Sequence, residues 1–149
     1  MRLLVSLTLV TCGIAAALAA DAPAGVQYKK PADVDAMRAS GDTGGILIAD
    51  PDFKVLAGRR DKPGQAEVHA VDTDIFIVIE GRATIVLGGT VVDGKETAPG
   101  EIRGSAIKDG TDYLLEKGTV LTVPRGTPHW VRETQPGFHY FVVKSVAHK

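Results

Sequence analysis

The sequence predicts an all-β fold, a double-sheet barrel preceded by one short helix. Three observations predict it. Beyond Gly44-Gly45 the chain breaks into short apolar runs separated by Gly, Pro and Asp turn signals, with strands at intervals of roughly 8–12 residues. Several runs alternate with the period of two that marks strands. Glu67 and His69 are two apart, so on a strand both side chains leave the same face, roughly 6–7 Å from each other.

The elements follow in order. Met1-Arg2 supplies a positive charge, residues 3–18 are apolar or small, and Ala17-Leu18-Ala19 fits a small-x-small cleavage site, so residues 1–19 are expected to be a signal peptide. Two other readings stand beside it: a retained anchor, for which the run is short of the ~20 residues of a span, and a lipoprotein attached through Cys12, against which Thr11 counts. Residues 20–44 form an N-terminal arm with one short helix over 31–38, where Asp33 or Asp35 suits its start and Gly41 its end. Residues 45–149 form the barrel. Strands are expected at 46–49, 53–60, 65–71, 74–79, 82–87, 113–116, 120–123, 129–133 and 138–144, six to ten in the barrel as a whole. The segment 90–110, rich in Gly, Asp, Lys and Glu, is strand-like only at 101–103 and 105–107.

Composition narrows the function. Formal net charge is −1, and without Arg2, the sole charged residue of the leader, it is −2. No basic block exists, so nucleic acid is not expected as a partner. Cys12 is the single cysteine and lies in the segment expected to be removed, which leaves no disulfide and no thiolate. About 130 residues remain, enough for one domain with its own core. Small molecules are the natural partners, the expected location is periplasmic or secreted, and no membrane span is expected to survive processing. Open sheet edges make a homodimer plausible.

Four residues carry ligand chemistry: Glu67, His69, Asp74 and His129. They belong to three separate strands and converge only if the sheet curls on itself, which places a metal site inside a small barrel. Around Glu67-Val68-His69, four residues lead to Asp74 and six more to Gly81. Further on, Gly118, Pro124, Gly126, His129 and Glu133 form a second spaced series. The two series resemble the paired motifs of the cupin superfamily. Glu67 stands where the first motif has its first histidine, Asp74 where it has a glutamate, and Glu133 where the second motif has an asparagine. Gly64 lies too close to Glu67 to match the motif's leading glycine. The resemblance covers about residues 45–145. It implies a jelly-roll barrel, a divalent metal, and activities ranging from dioxygenase and isomerase to plain ligand binding.

Two imidazoles and two carboxylates suit Mn, Fe(II), Zn, Co or Ni rather than Ca or copper(I), and Mn, Fe or Zn is the expected cofactor. Glu67 is either a ligand or a general base beside the metal. If Asp74 points inward, Phe76 and Val78 do too. One of Arg59 and Arg60 must face the cavity if the strand is regular, where it either holds a substrate carboxylate or, more commonly, stays solvated at the rim; Arg59, Phe76 and Tyr140 are the expected substrate contacts, with Tyr113 open. Glu133 faces inward by strict alternation but reads better as a surface acid. His139 is ambiguous, His148 is discounted, and Trp130 is expected to pack outside. The function expected is metal-dependent binding or conversion of a small organic molecule, the alternative a barrel that binds ligand without metal or catalysis.

Overall fold

The computed structural model describes residues 23–40 and 45–146. The expected leader with Cys12, the glycines 41 and 44, and His148 lie outside the described residues. The arm leads into α1 (Pro31–Ala39). Pro31 occupies the first turn, where its missing N–H has no helical partner to lose. The Asp33 carboxylate accepts the Lys30 backbone N–H at 3.1 Å, and the helix ends at Ser40, whose N–H donates to the Met37 carbonyl. No residue of α1 is buried. It lies against the first two strands of the barrel. Among the described residues no helix is long and apolar enough to cross a membrane.

The barrel follows as β1 (Gly45–Ala49), β2 (Phe53–Arg60), β3 (Ala66–His69), β4 (Asp72–Glu80), β5 (Arg82–Leu87), β6 (Thr90–Val92), β7 (Lys95–Ala98), β8 (Glu101–Gly104), β9 (Ala106–Lys108), β10 (Thr111–Glu116), β11 (Val120–Val123), β12 (His129–Thr134) and β13 (Phe138–Val146). The described residues thus hold thirteen strands, more than the six to ten expected. The surplus comes from 90–110, where left-handed backbone at Asp93 (φ 53°), Gly100 (φ 75°) and Asp109 (φ 59°) reverses the chain often enough to make four short strands.

One sheet has the order β1-β2-β13-β4-β11 and the other β10-β5-β12-β3-β8-β7; β6 and β9 form a separate two-stranded pair. All pairings are antiparallel. The core fills the space between the sheets: Phe138, Ile85, Leu115 and Val123 are fully buried, and Val78, Val131, Tyr140 and Val142 pack with them. On β4 the burial alternates, Asp74, Phe76 and Val78 turning inward and Ile75, Ile77 and Ile79 remaining half-buried on the outer face. The inward-facing order therefore runs from a charged residue at the strand's start to apolar ones beyond it. That gradient places a polar site at one end of an otherwise apolar interior.

Candidate metal centre

Cross-strand register assembles the site. His129 opposes Glu67 across β12 and β3, His69 opposes Glu101 and Glu67 opposes Arg103 across β3 and β8, and Asp74 opposes Lys144 across β4 and β13. Directly opposed residues of an antiparallel pair share a face, with Cβ atoms ~4.5–5.5 Å apart. The loop before β12 is fixed by the Gly126 N–H, which donates to the His69 carbonyl at 2.7 Å, so the two histidine segments are tied by backbone as well.

Glu67, His69 and His129 each present one ligand atom, all within 4.8 Å of one another. The ring centroids of His69 and His129 are 5.0 Å apart. Nδ1 of His69 meets the Glu101 carboxylate at 2.7 Å, and Nδ1 of His129 meets the Thr127 carbonyl at 3.1 Å. In the neutral rings these acceptors hold the proton on Nδ1 and leave each Nε2 with its lone pair directed into the cluster, the arrangement typical of metal-bound histidine. Nε2 of His69 lies 3.4 Å from Glu67 and 3.5 Å from Asp74, and Nε2 of His129 lies 3.7 and 3.8 Å from the same two carboxylates. His69 Nε2 is buried and makes no hydrogen bond. A buried nitrogen without a hydrogen bond, two further donors beside it, and a mixed nitrogen and oxygen set together fit a divalent transition ion.

Burial disfavours a charged His69, but the Asp74 and Glu67 carboxylates, 3.5 and 3.4 Å from its Nε2, outweigh it and push the imidazole up to about 9. Burial opposes ionisation of Glu67 and Asp74 as well. His69 and Arg103 hold the Glu67 carboxyl below its ordinary value, and His69 and Lys144 do the same for Asp74. Burial, joined by the charge of His69, lowers His129 despite the Thr127 carbonyl and the two carboxylates. Both acids are thus ionised and His129 neutral at physiological pH, the states a ligand needs, while His69 carries a proton that an ion would displace.

Asp74 stands apart from the other three. The Lys144 ammonium contacts both its oxygens, at 2.7 and 2.9 Å, so Asp74 is already ion-paired while Glu67, His69 and His129 form the compact triad. Lys144, Glu101 and Arg103 were not read from the sequence as site residues. The one usable signal was His69 and Glu101 belonging to strand-like segments; the register that joins them is not written locally.

A cavity of about 460 Å³ opens beside the triad, lined among others by Phe76, Val131, Tyr140, Val142, Arg60 and Gln65. Phe76 and Tyr140 are therefore placed as expected. Arg59 is not: its side chain is exposed, pairs with Asp61 at 3.2 Å, and lies in a separate surface depression with His139 and Glu80. Arg60 takes the inward place, because Leu56, Gly58 and Arg60 form the cavity face of β2. Glu133 is exposed. A bulge between Val131 and Glu133 puts two residues of β12 against one step of β5 and turns Glu133 outward toward Thr84 and Arg132. Tyr113 is exposed on the edge strand β10, and Trp130 donates from Nε1 to the Gly64 carbonyl at 2.9 Å.

Two packed antiparallel sheets enclosing a histidine and carboxylate cluster define a small β-barrel protein with a candidate metal site at the end of its cavity. The chain belongs to the cupin family, whose profile matches residues 61–149. Among solved structures it resembles BH2720 from Bacillus halodurans (TM-score 0.58, 13% identity, covering 85% of this chain and 86% of that one). It also resembles hydroquinone 1,2-dioxygenase from Sphingomonas sp. TTNP3 with 4-hydroxybenzoate bound (TM-score 0.56, 15% identity, 78% and 73% covered). A third is KdgF from Halomonas sp. (TM-score 0.50, 16% identity, 70% and 79% covered). No match is found among curated proteins. At these identities the solved structures speak for the fold.

Proposed function

We propose that this chain is an exported, metal-dependent cupin that binds and converts a small organic molecule in the cavity between its sheets. The observation that carries the reading is the triad of Glu67, His69 and His129, whose ligand atoms lie within 4.8 Å of one another at the wall of that cavity. These three would hold the ion, with Asp74 in reserve beside them. A divalent ion there supplies Lewis acidity toward a bound oxygen, and with iron or manganese also redox chemistry.

The protein's own part is orientation and charge. Glu101 and the Thr127 carbonyl fix the two rings, and Arg103, 3.3 Å from Glu67, holds that carboxylate in place. Glu67 remains ionised, so where it is not committed to the ion it accepts a proton from substrate. Phe76, Val131 and Val142 line the cavity with apolar surface and limit water around the reacting group. The hydroquinone 1,2-dioxygenase neighbour, with 4-hydroxybenzoate bound, supports a small organic molecule as the partner of such a fold. Export rests on the charge, apolar run and cleavage pattern of residues 1–19, and the mass of the protein recovered from the periplasm or medium tests it.

A second reading draws on one observation. His69 sits between Glu67, Asp74 and Glu101, whose charges are in turn met by Arg103 and Lys144, a cluster that balances itself with no ion. On that reading the barrel binds ligand without metal. Elemental analysis of the mature protein separates the two. Stoichiometric Mn, Fe or Zn that vanishes in His129→Ala and Glu67→Ala supports the metal centre; its absence from the unaltered protein, or retention in His129→Ala, removes it.

A further inference from the structure

Arg60 is built into the cavity wall by its surroundings. Its Nε donates to the Tyr140 hydroxyl at 2.9 Å. Its guanidinium rests on Gly64, where an added Cβ would lie 2.9 Å from the nearer terminal nitrogen and 3.1 Å from the central carbon. The Tyr140 ring in turn rests on Gly58, where a Cβ would come within 2.5 Å of the ring. Neither glycine has a positive φ. Close approach, not backbone conformation, is what asks for glycine at both positions. Gly64, the glycine that falls out of step with the family's first motif, has this second use. Two side chains have been omitted so that one arginine and one tyrosine can lie flat against the wall.

Two of the cations nearer the triad are occupied, and a third, Lys54, lies exposed to solvent. Arg103 meets Glu67 and Glu101, and Lys144 meets Asp74 and Asp72. Arg60 has the tyrosine hydroxyl and no ion pair among the described residues. A half-buried guanidinium held at Nε by a neutral group keeps its terminal N–H groups for an anion, and its fork matches a carboxylate.

Its position sets the rest of the ligand. On β13, Lys144 marks the triad's end of the cavity and Tyr140 the other, four residues away, or about 13 Å of strand. Between them the lining is apolar and partly aromatic. Phe76 stacks on Tyr140 with centroids 5.7 Å apart and meets His129 edge-on at 6.5 Å. Val142 opposes Phe76 across the strand pair.

We infer that Arg60, seated on Gly64 and tethered by Tyr140, is the carboxylate-binding end of this cavity, and that the substrate is a small organic acid with an apolar, planar body. Its carboxylate rests on Arg60, its body lies along Phe76 and Tyr140, and its far end reaches the triad. This rests on the metal-dependent reading for what happens at the far end, but the carboxylate contact is measurable without it.

The test is calorimetric titration of the mature protein, metal-free and Mn²⁺-loaded, with benzoate, succinate and their uncharged amides at millimolar concentration. Expected is a preference for acid over amide of roughly tenfold to a hundredfold, with benzoate the tighter of the acids. Arg60→Gln abolishes that preference and Arg60→Lys restores part of it. Gly64→Ala, which removes no cavity side chain but displaces the Arg60 guanidinium, weakens it. Mn²⁺ affinity stays unchanged in all three variants. Equal binding of acid and amide, or a preference that survives both Arg60→Gln and Gly64→Ala, overturns the assignment, as does failure of every probe to bind. Failure of Mn²⁺ to bind the unaltered protein sinks the metal reading alone, and the preference is then read from the metal-free arm.

Discussion

Lys144 and Asp74 face each other across β13 and β4, and the ammonium nitrogen contacts both carboxylate oxygens at 2.7 and 2.9 Å. The pair sits within 4 Å of the two imidazoles through Asp74 Oδ2, so Lys144 occupies charge that an ion would otherwise use. Lys144→Met should free Asp74 to join the triad and tighten Zn²⁺ binding by roughly tenfold, about 1.4 kcal/mol. Asp74→Ala should do the reverse to the fold. It leaves a mostly buried ammonium with only the more distant Asp72 carboxylate, 3.9 Å away, and lowers stability by roughly 2 kcal/mol. Zinc titration and denaturant unfolding of both variants check this; a Lys144→Met protein with weaker zinc binding would contradict the competition.

Glu101 acts on the site through His69. Its carboxylate lies 2.7 Å from Nδ1 and fixes both the tautomer and the plane of the ring. Glu101→Gln keeps the size and turns the charge off, and metal affinity should fall roughly 10- to 100-fold while the fold remains. Competition against a chelator of known affinity gives the number. Unaltered affinity would mean that His69 is not a ligand.

The raised His69 imidazole predicts a pH signature for the metal-free protein. Its folded value of about 9 exceeds the ordinary 6.5, so the folded state binds this proton more tightly than the unfolded one. That contribution is complete below 6.5 and is lost as pH rises toward 9. Glu67 and Asp74 are shifted down, so their contribution is present above the ordinary carboxylate range and lost as pH falls through it. Thermal midpoints should therefore fall from pH 6.5 to 9 in the metal-free protein. Metal binding in that window should release about one proton from His69, measurable by calorimetry in buffers of different ionisation enthalpy. A midpoint that climbs from neutral to alkaline pH would refute the shift.

The core makes a prediction independent of the site. Leu115 is fully buried between the sheets, on the edge strand β10 that otherwise faces solvent. Leu115→Ala should cost about 2–5 kcal/mol. The neighbouring exposed Leu114→Ala should cost less than about 0.5 kcal/mol. Urea midpoints distinguish them, and equal losses would mean that β10 is packed on both faces.

What the sequence made legible was whatever local pattern encodes. The two-residue spacing of Glu67 and His69, the Pro124-x-Gly126-x-x-His129 turn and the inward phase of Asp74, Phe76 and Val78 all appear as read. What it hid was register and irregularity. Ala57-Gly58 gives β2 no apolar alternation to phase the two arginines that follow, and the inward place went to Arg60. A single extra residue in β12 reversed the facing of Glu133. Lys144 read as a charge at a strand's end, because its partner Asp74 lies 70 positions earlier in the chain. Asp74 accordingly looked like an open ligand rather than one half of an ion pair.

The triad's strands β3 and β12 belong to one sheet, and Asp74 and Lys144 to the other. Charge therefore stitches the two layers together at the triad's end of the cavity. If one layer slides against the other, the triad keeps its own spacing, which a single sheet sets, and it is the clasp of Asp74 with the two imidazoles that gives first.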